Sequence, residues 1–213
     1  MGFICPQSAA QQDRPGNASG TAGEFFALGA VQADLAELDT AAASYLRGVE
    51  LLVEAEGEFS PLLIDPYVNL ADVYRRDGQF PEAITVLEHA QHISQRNFGL
   101  FNPGQESILR EIGRVYETAG DTRGALEARE QIFDIGARRY GDGSPEIVPY
   151  HVQLAEYYEA SRMRGKAREE LESVIEILEA RHGELAPELL PTLRTLVGYD
   201  IYSGDSGFSP RRV

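Results

Sequence analysis

Apolar side chains between residues 61 and 103 recur with the period of an α-helix in two successive stripes. The first stripe has the spacing i, i+3, i+4 and i+7, which places its members on one helix face: Tyr67, Leu70, Ala71 and Tyr74. The second stripe, within residues 83–93, has the same period. Gly78 lies between the stripes, where a short turn favours a residue that tolerates positive φ. The pattern therefore predicts a hairpin of two antiparallel helices.

The same hairpin pattern returns every 42 residues along most of the chain. Four columns of residues keep this interval: Leu28, Leu70, Ile112, Leu154 and Leu196; Ala41, Ala83, Ala125 and Ala167; Gly57, Gly99, Gly141 and Gly183; Pro61, Pro103, Pro145 and Pro187. Four independent columns in one register are very unlikely by chance. A repeat of about 20 to 50 residues indicates stacked units that bury an apolar face only against their neighbours.

Three of these columns have a clear physical role. The alanine column faces small residues of the first helix, such as Ala71 and Gly113, and small side chains allow two backbones to approach closely. The glycine and proline columns are spaced Gly-x-x-x-Pro. Because glycine ends a helix and proline suits the first turn of the next one, this element separates successive units.

The order of these residues resembles the tetratricopeptide repeat (TPR): the pattern Leu70-Ala71-x-x-Tyr74 is followed by Gly78 and then by Ala83. The 42-residue interval is similar to the longer variant found in kinesin light chain, where a Gly-x-x-x-Pro linker follows an extended second helix. The resemblance covers roughly residues 24–204. It implies an all-α fold, a right-handed TPR-like superhelical solenoid of antiparallel helix hairpins. It does not identify the partner, because this fold supports many unrelated interactions.

The interval divides the chain into a leader, a solenoid and a tail. We expect a disordered leader over residues 1–22 and a tail over residues 205–213. The solenoid over residues 23–204 has four hairpins and a half unit, at about 23–57, 61–99, 103–141, 145–183 and 187–204. In the degenerate first unit, Phe25 and Leu28 keep the first stripe. The turn glycine is replaced there by Ala36 and in the fourth unit by Arg162.

The chain is acidic, with a net charge of −15 that opposes nonspecific binding to nucleic acid or to an anionic membrane surface. No apolar run approaches the length that crosses a membrane. We therefore expect neither nucleic-acid binding nor membrane insertion. Lys166 is the only lysine, and this preference for arginine suggests a GC-rich coding genome such as a bacterial one.

The amino-terminal residues leave the compartment open. Cys5 is the only cysteine, so an internal disulfide is impossible and the redox environment is undetermined. The segment Ser8-Ala9-Ala10 has the small-x-small form of a signal-peptidase site, and residues 3–5 could be the remnant of an apolar region. As written the chain is cytoplasmic. If this segment belongs to a truncated signal peptide, the mature protein is periplasmic or secreted.

No residue pattern predicts catalysis or a cofactor. Residues 204–207 (Gly-Asp-Ser-Gly) match the motif around a serine-protease nucleophile, but that chemistry needs a histidine base and a buried aspartate on β-barrels. His89 and His92 are three residues apart on one helix, yet a zinc site needs three or four ligands. His151 falls on an apolar stripe, which favours a core histidine with a partner. We expect no enzyme activity, no metal and no cofactor.

In TPR folds the first helix of each unit lines the concave side. The positions that would face this groove include Asn69, Asp72, Arg75, Arg76, Arg110, Arg114, Glu117, Gln153 and Glu156. The four arginines form a positive cluster in an acidic protein, and the arginine fork suits carboxylates. We therefore expect an acidic or carboxylate-bearing peptide as the partner. The alternative is that these arginines pair internally with Asp72, Glu111 and Glu117.

The half unit at the carboxyl end is apolar on more than one face, although repeat proteins need a terminal cap with a polar outer face. The predicted interface comprises Leu193, Leu196, Ile201 and Tyr202. A second copy of the chain, giving a homodimer, or a partner helix would cover it. Alternatively, the natural chain continues, or the tail with Phe208 folds back over this face.

Together these patterns favour a non-enzymatic scaffold or adaptor that binds a peptide or protein segment in the concave groove. Two alternatives stay open: a self-associating structural module, and a regulatory TPR fragment of a longer protein. The first interpretation uses the groove residues, whereas self-association uses only the exposed end of the solenoid.

Overall fold

The computed structural model describes the backbone of residues 15–203 and the side chains of residues 19–198. Over this range the chain forms nine α-helices and no β-strand, which confirms the predicted all-α class. The α-helices are α1 (Pro15–Asp34), α2 (Leu38–Glu56), α3 (Ile64–Arg76), α4 (Phe80–Phe98), α5 (Gly104–Ala119), α6 (Thr122–Tyr140), α7 (Val148–Ala160), α8 (Arg164–His182) and α9 (Leu190–Ser203). Single-turn 3-10 helices precede α3, α7 and α9, at Pro61–Leu63, Pro145–Ile147 and Pro187–Leu189.

Consecutive helices pack as four hairpins, α1 with α2, α3 with α4, α5 with α6 and α7 with α8. The predicted alanine column lies inside these hairpins, and its four members are completely buried: Ala41, Ala83, Ala125 and Ala167. The first helices carry glycine or alanine opposite them. A Cβ atom added to Gly29 would lie 3.2 Å from the carbonyl oxygen of Ala41 and even closer to the ring of Tyr45. Small residues therefore permit the close approach of the two helices, as the sequence predicts.

The turn inside each hairpin contains a left-handed residue whether or not that residue is glycine. Gly78 and Gly120 have φ angles of 78° and 79°, and Ala36 and Arg162 have 59° and 61°. In all four turns the amide of the next residue donates to a carbonyl oxygen five residues earlier, at 2.7–2.9 Å. This helix-ending hydrogen bond holds Ala36 and Arg162 in a conformation that residues with a Cβ atom rarely adopt.

The Gly-x-x-x-Pro element joins successive hairpins as predicted. Gly57, Gly141 and Gly183 end α2, α6 and α8 with φ angles between 84° and 90°. The proline that follows each of them begins a 3-10 turn. Ser60 and Ser144 cap two of these turns, because their side chains accept a hydrogen bond from the amide two residues later.

The chain divides into two compact units, one ending at Phe98 and one beginning at Gly99. The core of the first unit is formed by α1 to α4 and includes Leu52, Leu63, Leu70, Val73 and Ile93. The core of the second unit includes Leu154, Ala155, Tyr158, Ala167 and Leu171, with Leu126, Phe133 and Leu196 packed against them.

The structure corrects the predicted boundary of the leader. The first helix begins at Pro15, so residues 15–22 belong to α1 and not to a disordered segment. Ala22 is completely buried in a cluster with Val49 and Leu52 of α2. The physical reason is Gly48, where an added Cβ would lie 3.1 Å from the carbonyl oxygen of Ala22, so α2 approaches α1 closely at this level. Residues 1–14 of the predicted leader, and the predicted tail, lie outside the described residues.

The structure also corrects the first stripe of α1, where Leu28 is 47% exposed. Leu70, its equivalent in α3, is completely buried because it packs with Ala33 and Ala41 of the preceding hairpin. No hairpin precedes α1 in the described part of the chain, so this face stays uncovered. The column position is the same, but its burial depends on a neighbour.

Candidate functional site

In the first unit the predicted groove residues lie on α3, and their charges are paired. Asp72 accepts a hydrogen bond from Arg75 Nη2 at 2.6 Å, and its second oxygen lies 4.0 Å from Arg76 Nη1. Arg76 Nη2 also donates to the carbonyl oxygen of Ala33 at 2.7 Å. Asn69 is exposed three residues before Asp72. One carboxylate thus holds two of the arginines that the sequence suggests as ligand-binding groups.

On α5 of the second unit, Arg110 and Arg114 are also paired within their own helix. Arg110 Nη2 lies 3.5 Å from Glu106 Oε2, and Arg114 Nη1 lies 3.2 Å from Glu111 Oε2. Internal pairing, the alternative drawn from the sequence, is therefore present for all four arginines. The side chains of Arg110 and Arg114 are 52% and 55% exposed. Because exposed ion pairs contribute little free energy, these two arginines can exchange their partners for those of a ligand.

A pocket of about 450 Å³ lies in the second unit, between the carboxyl-terminal parts of α5 and α7 and the first half of α6. Its lining is formed by Glu117, Gly120, Thr122, Arg129, Gln153, Glu156, Tyr157, Ala160 and Ser161. Glu117, Gln153 and Glu156 are among the groove residues predicted from the sequence. The fold brings these three side chains, from two different first helices, to one concave surface.

Arg129 forms a charged wall of this pocket. Its Nη2 and Nε atoms donate to Glu117 Oε1 at 2.5 and 3.3 Å, and its guanidinium carbon lies 4.8 Å from the centre of the Tyr157 ring. The Tyr157 hydroxyl donates to the carbonyl oxygen of Thr122 at 3.0 Å, which ties α7 to the start of α6. Sequence reasoning missed Arg129 and Tyr157 as pocket residues. The available signal was that Arg129 interrupts the apolar stripe of its helix.

Gln153 and Glu156 are the polar groups of the pocket that have no partner of their own. Both side chains are exposed, and no hydrogen bond or ion pair joins either of them to another described side chain. With Glu117 and Glu156 negative and Arg129 positive, the lining has one negative charge in excess. Its sign is therefore opposite to that of the arginine cluster expected from the sequence.

Behind the pocket, buried polar pairs hold α7 against its neighbours. His151 is 7% exposed, its Nδ1 lies 2.7 Å from Glu170 Oε2 of α8, and its ring meets the edge of Phe133 at 4.7 Å. This confirms the interpretation of His151 as a core histidine with a partner. Two turns later the hydroxyl of Tyr158 donates to Glu130 Oε1 of α6 at 3.0 Å. Burial, together with this carboxylate, raises the pKa of Tyr158 above its ordinary value.

The last helix carries an exposed apolar stripe, which consists of Leu190, Leu193 and Val197 and is called the α9 stripe below. Leu196 is not part of the α9 stripe, because it packs against the core of α7 and α8. Ala155, one repeat before Val197, is 1% exposed because it packs with residues of α8. No helix follows α9 in the part of the chain that the structure describes, and the side chains of Ile201 and Tyr202 lie outside it.

Comparisons with known proteins agree with this architecture. The family model of the tetratricopeptide repeat matches residues 62–135, which extend from the 3-10 turn before α3 into α6. The chain is a tetratricopeptide repeat protein. No curated protein matches its sequence.

Two solved structures share the fold of this TPR protein. A kinesin light chain protein of nearly identical TPR-like repeats from Podosopora anserina has a TM-score of 0.61 and 21% identity, with coverage of 92% of this chain and 90% of that chain. BtubC (BKLC) from P. vanneervenii has a TM-score of 0.60 and 18% identity, with coverage of 93% and 86%. These similarities concern the fold, and they confirm the predicted class, a TPR-like solenoid of antiparallel helix hairpins.

The other candidate groups of the TPR protein have structural surroundings. His89 stacks on Tyr67 and His92 packs against Phe59, each with 5.7 Å between ring centres. Among the described side chains, no three His, Cys, Asp or Glu residues are grouped so that they could hold a metal ion. No described helix is both long and apolar enough to cross a membrane. The Gly-Asp-Ser-Gly segment at residues 204–207 lies outside the described residues.

Proposed function

We propose that this TPR protein is a non-enzymatic interaction scaffold that binds a peptide or protein segment on the first-helix face of its second unit. Repeat proteins of stacked helix pairs commonly bind partners along an extended surface. The observation that carries the proposal is the pocket between α5, α6 and α7, where predicted groove residues of two first helices meet.

The exposed face of α5 extends from this pocket along the helix. Arg110, Arg114 and Glu117 are spaced i, i+4 and i+7, so they lie on one face. Arg110 and Glu117 are about 10 Å apart along the helix axis, which corresponds to about three residues of an extended peptide. A peptide that follows α5 would meet the arginines and the pocket in succession. We assign the arginines to a carboxylate of the partner, which would replace Glu106 and Glu111 as their counter-ions.

The chemistry of the pocket favours a peptide over a free small molecule. Small-molecule sites are usually enclosed and lined mainly by apolar side chains. Here Glu117, Gln153 and Glu156 are exposed polar residues, and Tyr157 supplies the single aromatic ring of the lining. Such a surface suits one side chain of a longer ligand whose remaining contacts lie outside the pocket.

In the first unit, Asn69, Asp72, Arg75 and Arg76 stay a separate proposed contact for the partner. Arg75 Nε is buried without a hydrogen-bond partner, so this guanidinium has a donor that its ion pair with Asp72 leaves unused. A ligand carboxylate would compete with Asp72 for both arginines.

The proposal is tested by selecting peptides and then measuring matched charge reversals. Random peptides displayed on phage are selected on the wild-type protein, and synthetic copies are titrated by fluorescence anisotropy. Arg114→Glu reverses a charge on the proposed face. Arg123→Glu makes the same change on α6, where Arg123 is also exposed and also paired with a glutamate of its own helix.

We expect Arg114→Glu to weaken the selected peptides about tenfold, because it opposes a ligand carboxylate, and Arg123→Glu to leave their affinity unchanged. Circular dichroism should show equal helix content in both variants. A selection that yields no binder, or binders that tolerate both substitutions equally, would remove the α5 face from the function.

A second candidate function is self-association, and the α9 stripe favours it. At the other end of the repeat array, α1 exposes Leu28, Val31 and Leu35 at helical spacing. The equivalents of Leu28 and Val31 in α3 are covered by the preceding hairpin. We propose that α1 of a second copy packs on the α9 stripe, because each end presents the apolar face that a neighbouring repeat would cover.

A further inference from the structure

We infer that the pocket between α5, α6 and α7 is a subsite for a cationic side chain, an arginine or a lysine, of the bound peptide. The inference rests on the proposed function, since it names the chemistry that the same surface selects. It differs from the expectation drawn from the sequence, in which arginines of the protein select an acidic ligand.

The first step concerns the only cation of the lining. Arg129 donates two hydrogen bonds to Glu117 Oε1, and its guanidinium lies over the ring of Tyr157. Both interactions hold the group in place and offset its charge. A ligand carboxylate would have to compete with Glu117, which is on the adjoining helix and already in contact. Arg129 therefore forms a wall of the pocket and is a poor receptor for an anion.

The second step concerns the acceptors that stay free. Glu156 has no counter-ion among the described side chains, and the amide of Gln153 has no partner there. They are three residues apart on α7, so they lie on the same face of that helix. The second carboxylate oxygen of Glu117 accepts no hydrogen bond from Arg129. Together these groups present oxygen acceptors to a ligand that can donate several N–H groups, which describes guanidinium and ammonium ions.

The third step concerns size and position. A volume of about 450 Å³ falls in the lower half of the range of about 300–1,000 Å³ that is usual for ligand sites. It can accept one long side chain together with water. Arg110 is about 10 Å from Glu117 along α5, so the peptide should combine a basic residue with an acidic residue about three positions away.

The test uses three tripeptides that differ at one side chain: acetyl-Ala-Arg-Ala-amide, the same peptide with citrulline, and the same peptide with glutamate. Citrulline keeps the shape of arginine without its charge. Binding is followed by amide chemical shifts of the isotope-labelled protein, including the side-chain amide of Gln153. Glu156→Gln removes the free carboxylate. The control, Glu159→Gln, removes the same charge from the next turn of α7 at an exposed residue that does not line the pocket.

We expect the arginine peptide to bind more tightly than the citrulline peptide and to shift the amides of residues 153–157. Glu156→Gln should weaken the arginine peptide about fivefold, the upper end of what an exposed ion pair contributes, and Glu159→Gln should change little. Arg129→Gln should strengthen it, because Glu117 is then released for the ligand. Equal helix content of these variants, measured by circular dichroism, would show that folding is not the cause.

Three results would overturn the subsite. Equal affinities for Glu156→Gln and Glu159→Gln would mean that only the net charge of the protein attracts the peptide. Preference for the glutamate peptide, or weaker arginine binding after Arg129→Gln, would assign the pocket to an anion. Absence of shifts with all three peptides would remove the pocket as a subsite. None of these results affects the display selection with Arg114→Glu, which decides the proposed function independently.

Discussion

Exchanging glycine and alanine at equivalent hairpin turns should change stability in opposite directions. Ala36 and Gly120 occupy the same place in the first and third hairpins, and both have positive φ, 59° and 79°. A Cβ atom on Gly120 would have no neighbouring atom within 4 Å, so its substitution tests the backbone and not packing. The two matched changes are Ala36→Gly and Gly120→Ala.

The expected magnitude follows from two opposing terms. The left-handed conformation costs a residue with a Cβ atom about 1–2 kcal/mol. Glycine avoids this cost but loses roughly 0.5–1 kcal/mol more conformational entropy on folding. We therefore expect Ala36→Gly to raise the free energy of unfolding by about 0.5–1 kcal/mol and Gly120→Ala to lower it by a similar amount. For a chain of this size, 1 kcal/mol corresponds to about 2–4 °C in Tm.

Thermal and urea unfolding, followed by helical circular dichroism, measure both changes. Because the chain has two compact units, the curves are fitted with separate transitions for each unit where they resolve. The control is Gly143→Ala. Gly143 is exposed, has no positive φ and has no atom within 4 Å of an added Cβ. Alanine there should be neutral or stabilise by up to about 1 kcal/mol, because it restricts the unfolded chain.

Two outcomes would refute this reasoning. If Gly120→Ala is as harmless as Gly143→Ala, the turn does not depend on its left-handed residue. If Ala36→Gly lowers the Tm, then Ala36 is not strained, and the hydrogen bond that closes the turn tolerates a Cβ atom without cost. Arg162→Gly extends the comparison to the fourth hairpin, where φ is 61°.

Two further predictions concern a half-buried tyrosine and the α9 stripe. Burial, and then the hydrogen bond to Glu106, raise the pKa of Tyr150 from 10.0 to about 12. Folding thus favours the neutral phenol, so this stabilisation is complete below pH 10 and is lost as the pH rises through about 12. Tyr150→Phe should reduce the fall of Tm in that window, and an unchanged fall would assign the alkaline loss to other groups. In sedimentation velocity, Leu193→Asp should dissociate wild-type assemblies, whereas Leu185→Asp, at a 99% exposed residue before the helix, should not. A strictly monomeric wild type at high concentration would count against the α9 interface.

Much of the repeat architecture was predictable because its determinants are local. The alanine column is completely buried in every hairpin, and the small residues opposite it allow the close packing that its periodicity suggests. The turn position was also predictable, even at Ala36 and Arg162, because the 42-residue interval marks it without glycine. Each of these features depends on residues within one hairpin or its direct neighbour.

The misplaced details have a common physical cause, which is that burial depends on what packs from outside the helix. Leu28 occupies a column position that is buried in α3, but no described hairpin covers it. Leu193 and Val197 are exposed for the same reason at the other end. The early start of α1 depends on a close approach to Gly48, which no periodicity of α1 itself reveals.

The sequence by itself determined the hairpins, their turns and the linkers between them, because periodic apolar faces and backbone preferences are properties of the chain's local order. Only the tertiary structure decided which charges are neutralised and where a pocket forms. Arg129, Glu117 and Tyr157 belong to three different helices, and their contacts exist because packing brings those helices within a few ångströms. The pairing of Arg110 and Arg114 with carboxylates of α5 likewise depends on side-chain conformations that spacing permits but does not select. The sign of the candidate site was therefore decided by packing.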